Sequence, residues 1–212
     1  MRDTPVKWRR RKEARPSEIL SAALDVFSER GFAATKLDDV AARSGISKGT
    51  LYLYFPNKQE LFKAVVREAL LPNIERIERM VGDFPGPSTV LLERFVETVT
   101  QAVAASRIGA IPKLVIAEAG NFPDLARFYL DEVIHRGFGL IAAILRRGID
   151  RGEFRQLDVD LTVRLVIAPV LMHALWRNSL EPYEERKIDT AALTRTHLDL
   201  LFHGLIARGG GS

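Results

Sequence analysis

"SGISKGTLYLYF", Ser44 to Phe55, is the stretch whose reading decides the fold. Gly45 supplies a helix stop and Ser47 an N-cap, so a new helix starts just after Ser47. Pro56 breaks it. Within it only Leu51 and Phe55, one turn apart, make an apolar side. The rest of the surface is small and polar at the start (Ser47, Gly49, Thr50) and aromatic at the end (Tyr52, Tyr54). A helix with so little to bury and so much to present is built to meet something outside its own chain.

The flanking sequence supplies the frame. Pro16 fits a first helical position, and Ile19, Ala23, Val26 and Phe27 follow at three- and four-residue steps until Gly31. Thr35 is expected to cap a short second helix, with Asp38 at the capping-box position and Leu37, Val40 and Ala41 as its buried stripe. Asn57 caps a longer fourth helix carrying Leu61, Phe62, Val65 and Val66. A short helix, a glycine turn and a second short helix form a helix-turn-helix, whose second helix enters the DNA major groove N-terminus first.

On that reading Ser47, Gly49 and Thr50 are small so that the helix start can approach bases and phosphates closely, where the positive end of the helix dipole favours phosphate. Lys48 can donate to guanine O6/N7 or to phosphate. Tyr52 and Tyr54 offer hydroxyls to the sugar-phosphate backbone. Leu53 points outward, within reach of a thymine methyl, and Lys58 neutralises a further phosphate. Taken singly, the tyrosines are equally readable as packing residues and the lysines as solvated charges.

Charge placement agrees. The net charge is +4, and residues 1–60 hold 12 Lys/Arg against 8 Asp/Glu, so the whole excess lies there. Residues 1–15 form a basic arm, with Arg2, Lys7, Arg9, Arg10, Arg11, Lys12 and Arg15 opposed only by Asp3 and Glu13. Such an arm attracts polyanions, or serves as a solubilising tail.

Residues 16–62 resemble the DNA-binding domain of the tetracycline-repressor (TetR) family of bacterial regulators, through "ILSAALDVFSERGFAATKLDDVAARSGISKGTLYLYFPNKQELF". Leu53, at a place often aromatic, and Pro56, at a place more often polar or basic, depart from the pattern. The resemblance implies DNA contacts from Thr35, Lys36, Ser47, Lys48, Gly49, Thr50, Tyr52, Leu53, Tyr54 and Lys58. It implies a double-stranded operator as partner, a homodimer formed through the last two helices, and release by a small, largely apolar ligand held in the C-terminal helices. Repression is the family's usual direction of control.

The remainder reads as helices near 88–106, 109–119, 123–151, 158–179 and 189–207, after a linker at Gly82–Pro87. The expected architecture is therefore all-α with about nine helices. It comprises a helix-turn-helix domain over 16–62, a ligand-binding and dimerisation domain over 63–208, and a tail over 209–212. Pro169 is expected to kink its helix. Phe95, Val99, Ile116, Phe138, Met172 and Trp176 are candidates to line an apolar pocket, with His135 or His173 bonding a ligand's polar end. Leu161, Leu165, Leu193, Leu200 and Gly204 are candidates for the dimer interface. Periodicity alone reads these stripes equally well as the chain's own core.

Other function classes find little support. No cysteine is present, which excludes disulfides, thiolate metal sites and a cysteine nucleophile. No apolar run approaches the roughly 18 residues of a membrane span, and the charged N-terminus lacks the apolar core of a signal peptide. "GFGLIA", Gly137–Ala142, matches a loose dinucleotide pattern but has no preceding strand. His197 and His203 are six residues apart, off a common helical face, and no metal-ligand spacing appears. The expectation is a cytoplasmic DNA-binding regulator with no enzymatic activity, metal or cofactor. The alternative is a helical small-molecule-binding or enzyme-like protein without sequence-specific DNA binding.

Overall fold

The computed structural model describes residues 6–105 and 107–206, with side chains from Pro16 onward except that of Ala105. The basic side chains of the arm, Ala207 and the 208–212 tail lie outside the described residues. Among the described residues there are ten α-helical segments: α1 (Val6–Ala34), α2 (Leu37–Ser44), α3 (Lys48–Tyr54), α4 (Lys58–Asp83), α5 (Ser88–Ala105), α6 (Ala110–Glu118), α7 (Pro123–Tyr129), α8 (His135–Asp150), α9 (Val159–Arg177) and α10 (Thr190–Leu205). The helix expected over 123–151 is α7 and α8 joined by a single π turn, Leu130–Ile134, so the expected and observed counts differ only there. The only β-type pairing among the described residues is an isolated antiparallel bridge between Phe154 and Ile206.

Local chemistry explains most boundaries. Gly31 (φ 79°, ψ 166°) interrupts α1 near its end, and Gly45 (φ 68°) closes α2 in the left-handed region, where a β-carbon is costly. The Ser47 hydroxyl accepts the Thr50 N–H at 3.1 Å, and Asn57 Oδ1 accepts that of Glu60 at 2.9 Å. Asp158 and Asp189 cap α9 and α10 in the same manner.

Pro169 lies inside α9, which runs as one helix from Val159 to Arg177. Two expectations need correction. The first helix does not start at Pro16 but at Val6, with Pro16 inside it. The cap of α2 is Lys36, not Thr35: the Lys36 N–H donates to Asp39 Oδ2 at 3.2 Å, while Thr35 turns inward and its hydroxyl donates to the Gly31 carbonyl at 2.7 Å. A lysine side chain has no acceptor to offer a helix end, so this cap works through Asp39 alone.

The chain divides into two compact units. One holds the described residues up to Pro72 together with Leu114–Phe128; the other holds Asn73–Lys113 and the described residues from Tyr129. The first thus joins to its N-terminal stretch a segment, Leu114–Phe128, that is remote in sequence. Its core is aromatic. Phe27, Phe32 and Phe62 meet with ring centroids 5.1–5.6 Å apart, and Phe122 adds an edge-to-face contact on Phe32 at 4.8 Å.

The second unit is a helical bundle around Leu91, Leu92 and Phe95 of α5, Ile141, Ile144 and Leu145 of α8, Val163, Val166 and Val170 of α9, and Leu198 and Leu205 of α10. Phe154 lies against Gly148, where an added β-carbon would come within 2.0 Å of the ring.

α9 has apolar residues on every side, without one consistently polar face. Its length and its mean hydropathy of 1.5 over 18 residues would suffice to cross a membrane, against the expectation that no stretch comes near. It carries Asp160 and Arg164, however, and packs on α5 and α8. Only 28% of that window is buried in this chain, so the excess of apolar residues lies on its outer face.

Candidate nucleic-acid interface

α3 is held by very little. Leu51 is its one buried residue, and Phe55 just beyond it is also buried. The remaining side chains stand on the surface: Tyr52 and Tyr54 are exposed, and Leu53 is 86% exposed. A leucine left so bare, between two exposed tyrosines, makes a small apolar patch at the helix end.

Gly49 is informative in a different way. Its backbone is helical, and a β-carbon there would meet nothing closer than Ser47 Oγ at 3.9 Å. Nothing inside the chain requires glycine, yet glycine in a helix costs roughly 1 kcal/mol relative to alanine. The open space at its β-position leaves room for a close approach to the backbone. Beside it, Thr50 Oγ1 lies 2.8 Å from Ser47 Oγ, which orients both hydroxyls at the helix start.

The lysines differ in their surroundings. Lys48 Nζ lies 2.9 Å from Asp38 Oδ1 across α2 and α3, with both side chains more than half exposed. That hydrogen bond, with the carboxylate's charge, raises the lysine's pKa from its ordinary value. Lys58 Nζ donates to the Ala33 carbonyl at 2.8 Å and sits 4.7 Å from the centre of the Phe32 ring. Burial pulls its pKa down, opposed by the charge of Glu118. Glu118 itself accepts the Ala33 N–H at 3.1 Å, so the turn before α2 is held from both sides.

Thr35, expected as a DNA contact, is 2% exposed with its hydroxyl committed to Gly31. That expectation is corrected: the side chain is unavailable, because α2 begins one residue later than read. Lys36, Ser47, Lys48, Gly49, Tyr52, Leu53 and Tyr54 are all exposed, and Thr50 and Lys58 partly so. Sequence reasoning passed over Glu118 and Phe122. Both are remote in sequence, and "AGNFPD" carries no sign of where it packs.

The ligand candidates do not form one set. Phe95, Val99 and Phe138 belong to the core of the second unit or pack against it. Ile116 is exposed and belongs to the first unit. His135 is exposed beside Asp131, and Met172 is exposed on α9. As pocket residues these three are corrected, since helical spacing marks a stripe without saying which way it faces. His173 is buried, with Nε2 at 3.0 Å from Thr190 Oγ1, and the Trp176 N–H donates to Glu184 at 2.9 Å.

The dimer candidates are mostly on the surface of this chain. Leu161, Leu165 and Leu200 are 61%, 68% and 68% exposed. Gly204 is exposed with open space at its β-position, and Leu193 is half-buried. The reading of Leu161, Leu165 and Leu200 as the chain's own core is thereby excluded.

The family model for bacterial regulatory proteins of the tetR family matches residues 19–65, and that for tetracyclin repressor-like C-terminal domains matches residues 91–194. The chain belongs to the TetR family. Among TetR-family relatives, the fatty acid metabolism regulator protein of Bacillus subtilis is 24% identical over 198 residues, covering 92% of this chain and 98% of the relative. The HTH-type transcriptional repressor KstR2 of Rhodococcus jostii is 28% identical over 196 residues, covering 92% of each. The crystal structure of FadR from Bacillus subtilis in complex with stearoyl-CoA shares the fold, with a TM-score of 0.71 at 23% identity over 89% of this chain and 98% of that one. This TetR-family member is a DNA-binding transcriptional regulator and not an enzyme.

Proposed function

We propose that this protein is a repressor that binds a palindromic operator as a homodimer, with α3 of each subunit in a major groove, and that an apolar ligand releases it. The observation that carries the DNA surface is α3: an exposed helix start whose glycine is needed by nothing within the fold. Lys48 and Thr50 read bases; Tyr54 and Lys58 hold phosphates. Lys58 is presented from a fixed place, since the Ala33 carbonyl and the Phe32 ring locate its ammonium group.

The homodimer is supported by the outer face of α9 and by Leu200 on α10, which leave large leucines in water. A helix that is apolar all round belongs in an interior, and a second copy supplies one. Two subunits related by a two-fold axis place their recognition helices about one helical turn of DNA apart. A regulator acting on bacterial DNA works in the cytoplasm, and kinship with bacterial regulators supports that location for this protein.

For the ligand, the fatty-acid regulators among the relatives favour a long acyl chain, with stearoyl-CoA as the molecule bound by FadR. The apolar core around Phe95, Val99 and Phe138 is chemically compatible with such a chain. For release, the ligand must bind the two states of the dimer with different affinity. A preference of two to three orders of magnitude amounts to about 3–4 kcal/mol.

Selection of bound sequences from a random duplex pool tests the reading, followed by addition of stearoyl-CoA to the complex. Recovery of a palindrome is expected, with loss of binding on addition of the acyl thioester. Failure to enrich any sequence overturns the DNA reading. An enriched palindrome that stays bound in stearoyl-CoA overturns the ligand class alone.

A further inference from the structure

Asp38 suits a helix start, yet it puts a negative charge beside the helix proposed to meet a polyanion. It lies at the start of α2 and, because Asp39 accepts the Lys36 N–H and pairs with Arg30 at 2.8 Å, it is not needed for the cap the sequence assigned to it. Its contact is with Lys48, at 2.9 Å and 3.0 Å to its two oxygens. If Lys48 reaches the duplex, the Asp38 carboxylate is at the same surface. It repels phosphate, and it lowers the charge that Lys48 can offer to any duplex.

We propose that Asp38 is a specificity-determining residue for DNA, holding Lys48 away from phosphate until a base edge replaces it. The inference rests on the assignment of α3 as the DNA-reading helix. In the free protein the pair is exposed on both sides, so it is easily exchanged. To reach a phosphate on random duplex, Lys48 would have to abandon Asp38 and leave its carboxylate unpaired beside the backbone, so it stays with Asp38 and that phosphate goes unneutralised. On the operator, Lys48 donates to guanine O6/N7, and Asp38 accepts from the exocyclic amino group of a neighbouring cytosine, the pairing its acceptor-only chemistry allows. The carboxylate thus penalises the wrong complex and is satisfied in the right one, which is how a repulsive element produces selectivity.

The full-length protein is titrated with its selected operator and with a random duplex of equal length, across a range of salt, for the wild type, Asp38→Asn, Asp38→Ser, Asp38→Glu and Lys48→Ala. Asp38→Asn and Asp38→Ser are expected to bind random duplex more tightly, by roughly 3- to 10-fold, with a salt slope steeper by about 0.9 for the one phosphate that Lys48 then neutralises. Their operator-to-random ratio should fall by roughly 10-fold. Asp38→Glu, which keeps the charge, should hold random binding near the wild-type level. The serine variant keeps a residue suited to a helix start, so a loss of folding in one substitution does not remove the test. Unchanged random binding in both neutral variants, or an operator-to-random ratio as high as the wild type's, overturns the role of Asp38 while leaving α3 as the reading helix. Absence of operator selectivity in the wild type overturns both.

Discussion

Lys48 and Lys58 carry the same charge into different surroundings, and the difference should show in binding. Lys48 pairs with Asp38 at an exposed surface; Lys58 is fastened to a backbone carbonyl over an aromatic ring. Lys48→Ala and Thr50→Ala are expected to cut discrimination between operator and random duplex by about 1–3 kcal/mol, measured as the ratio of the two dissociation constants. Lys58→Ala should weaken both duplexes alike. It should also lower folding stability by about 0.5–1.5 kcal/mol in urea, because the Ala33 carbonyl loses its donor. Gly49→Ala separates folding from recognition most cleanly. It should stabilise the free protein by roughly 0.5–1 kcal/mol and abolish operator binding; tight operator binding by that variant would show that nothing approaches the helix start.

At the scale of the element, the short helices were legible because their ends are chemical. Ser47, Asn57 and Gly45 act where the sequence places them, since a hydroxyl, an amide oxygen and a left-handed glycine each do one job at a helix end. Thr35 misled for the same reason: it is a good cap residue, but the chain turns at Gly31 and draws its hydroxyl inward. Facing was the less legible property. Met172 and Val170 are both apolar and two residues apart on α9, yet one is exposed and the other buried. The helical period puts them on opposite sides, but with apolar residues on both it cannot say which side faces inward. Close approach was also invisible: Gly148→Ala drives a methyl into the Phe154 ring and is expected to cost about 1–3 kcal/mol of stability, read from the denaturation midpoint.

At the scale of the whole molecule, a buried histidine, His173, and a half-buried one, His197, tie stability to pH. Burial holds His173 below its ordinary value near 6.5, with Glu181 opposing and Arg177 reinforcing the shift, and burial alone does the same to His197. The folded chain therefore keeps both rings neutral while the unfolded chain takes up protons. Their contribution is full above about pH 6.5 and is lost as pH falls below it. Denaturation midpoints should drop between pH 7.5 and 5.5, and His173→Gln should shrink that drop; an unaltered drop in the variant would remove His173 from the account. Charge insertion by Leu200→Glu should give monomers on a sizing column, with operator affinity reduced at least 10-fold because two reading heads no longer act together.

The bare leucines of α9 have one more consequence. On the proposed pairing, a subunit without its twin is both poorly soluble and unable to grip its promoter. The cellular copy number at which half the subunits find a mate would then set the floor below which the controlled genes escape silencing, whatever the strength of each mated pair's hold on DNA.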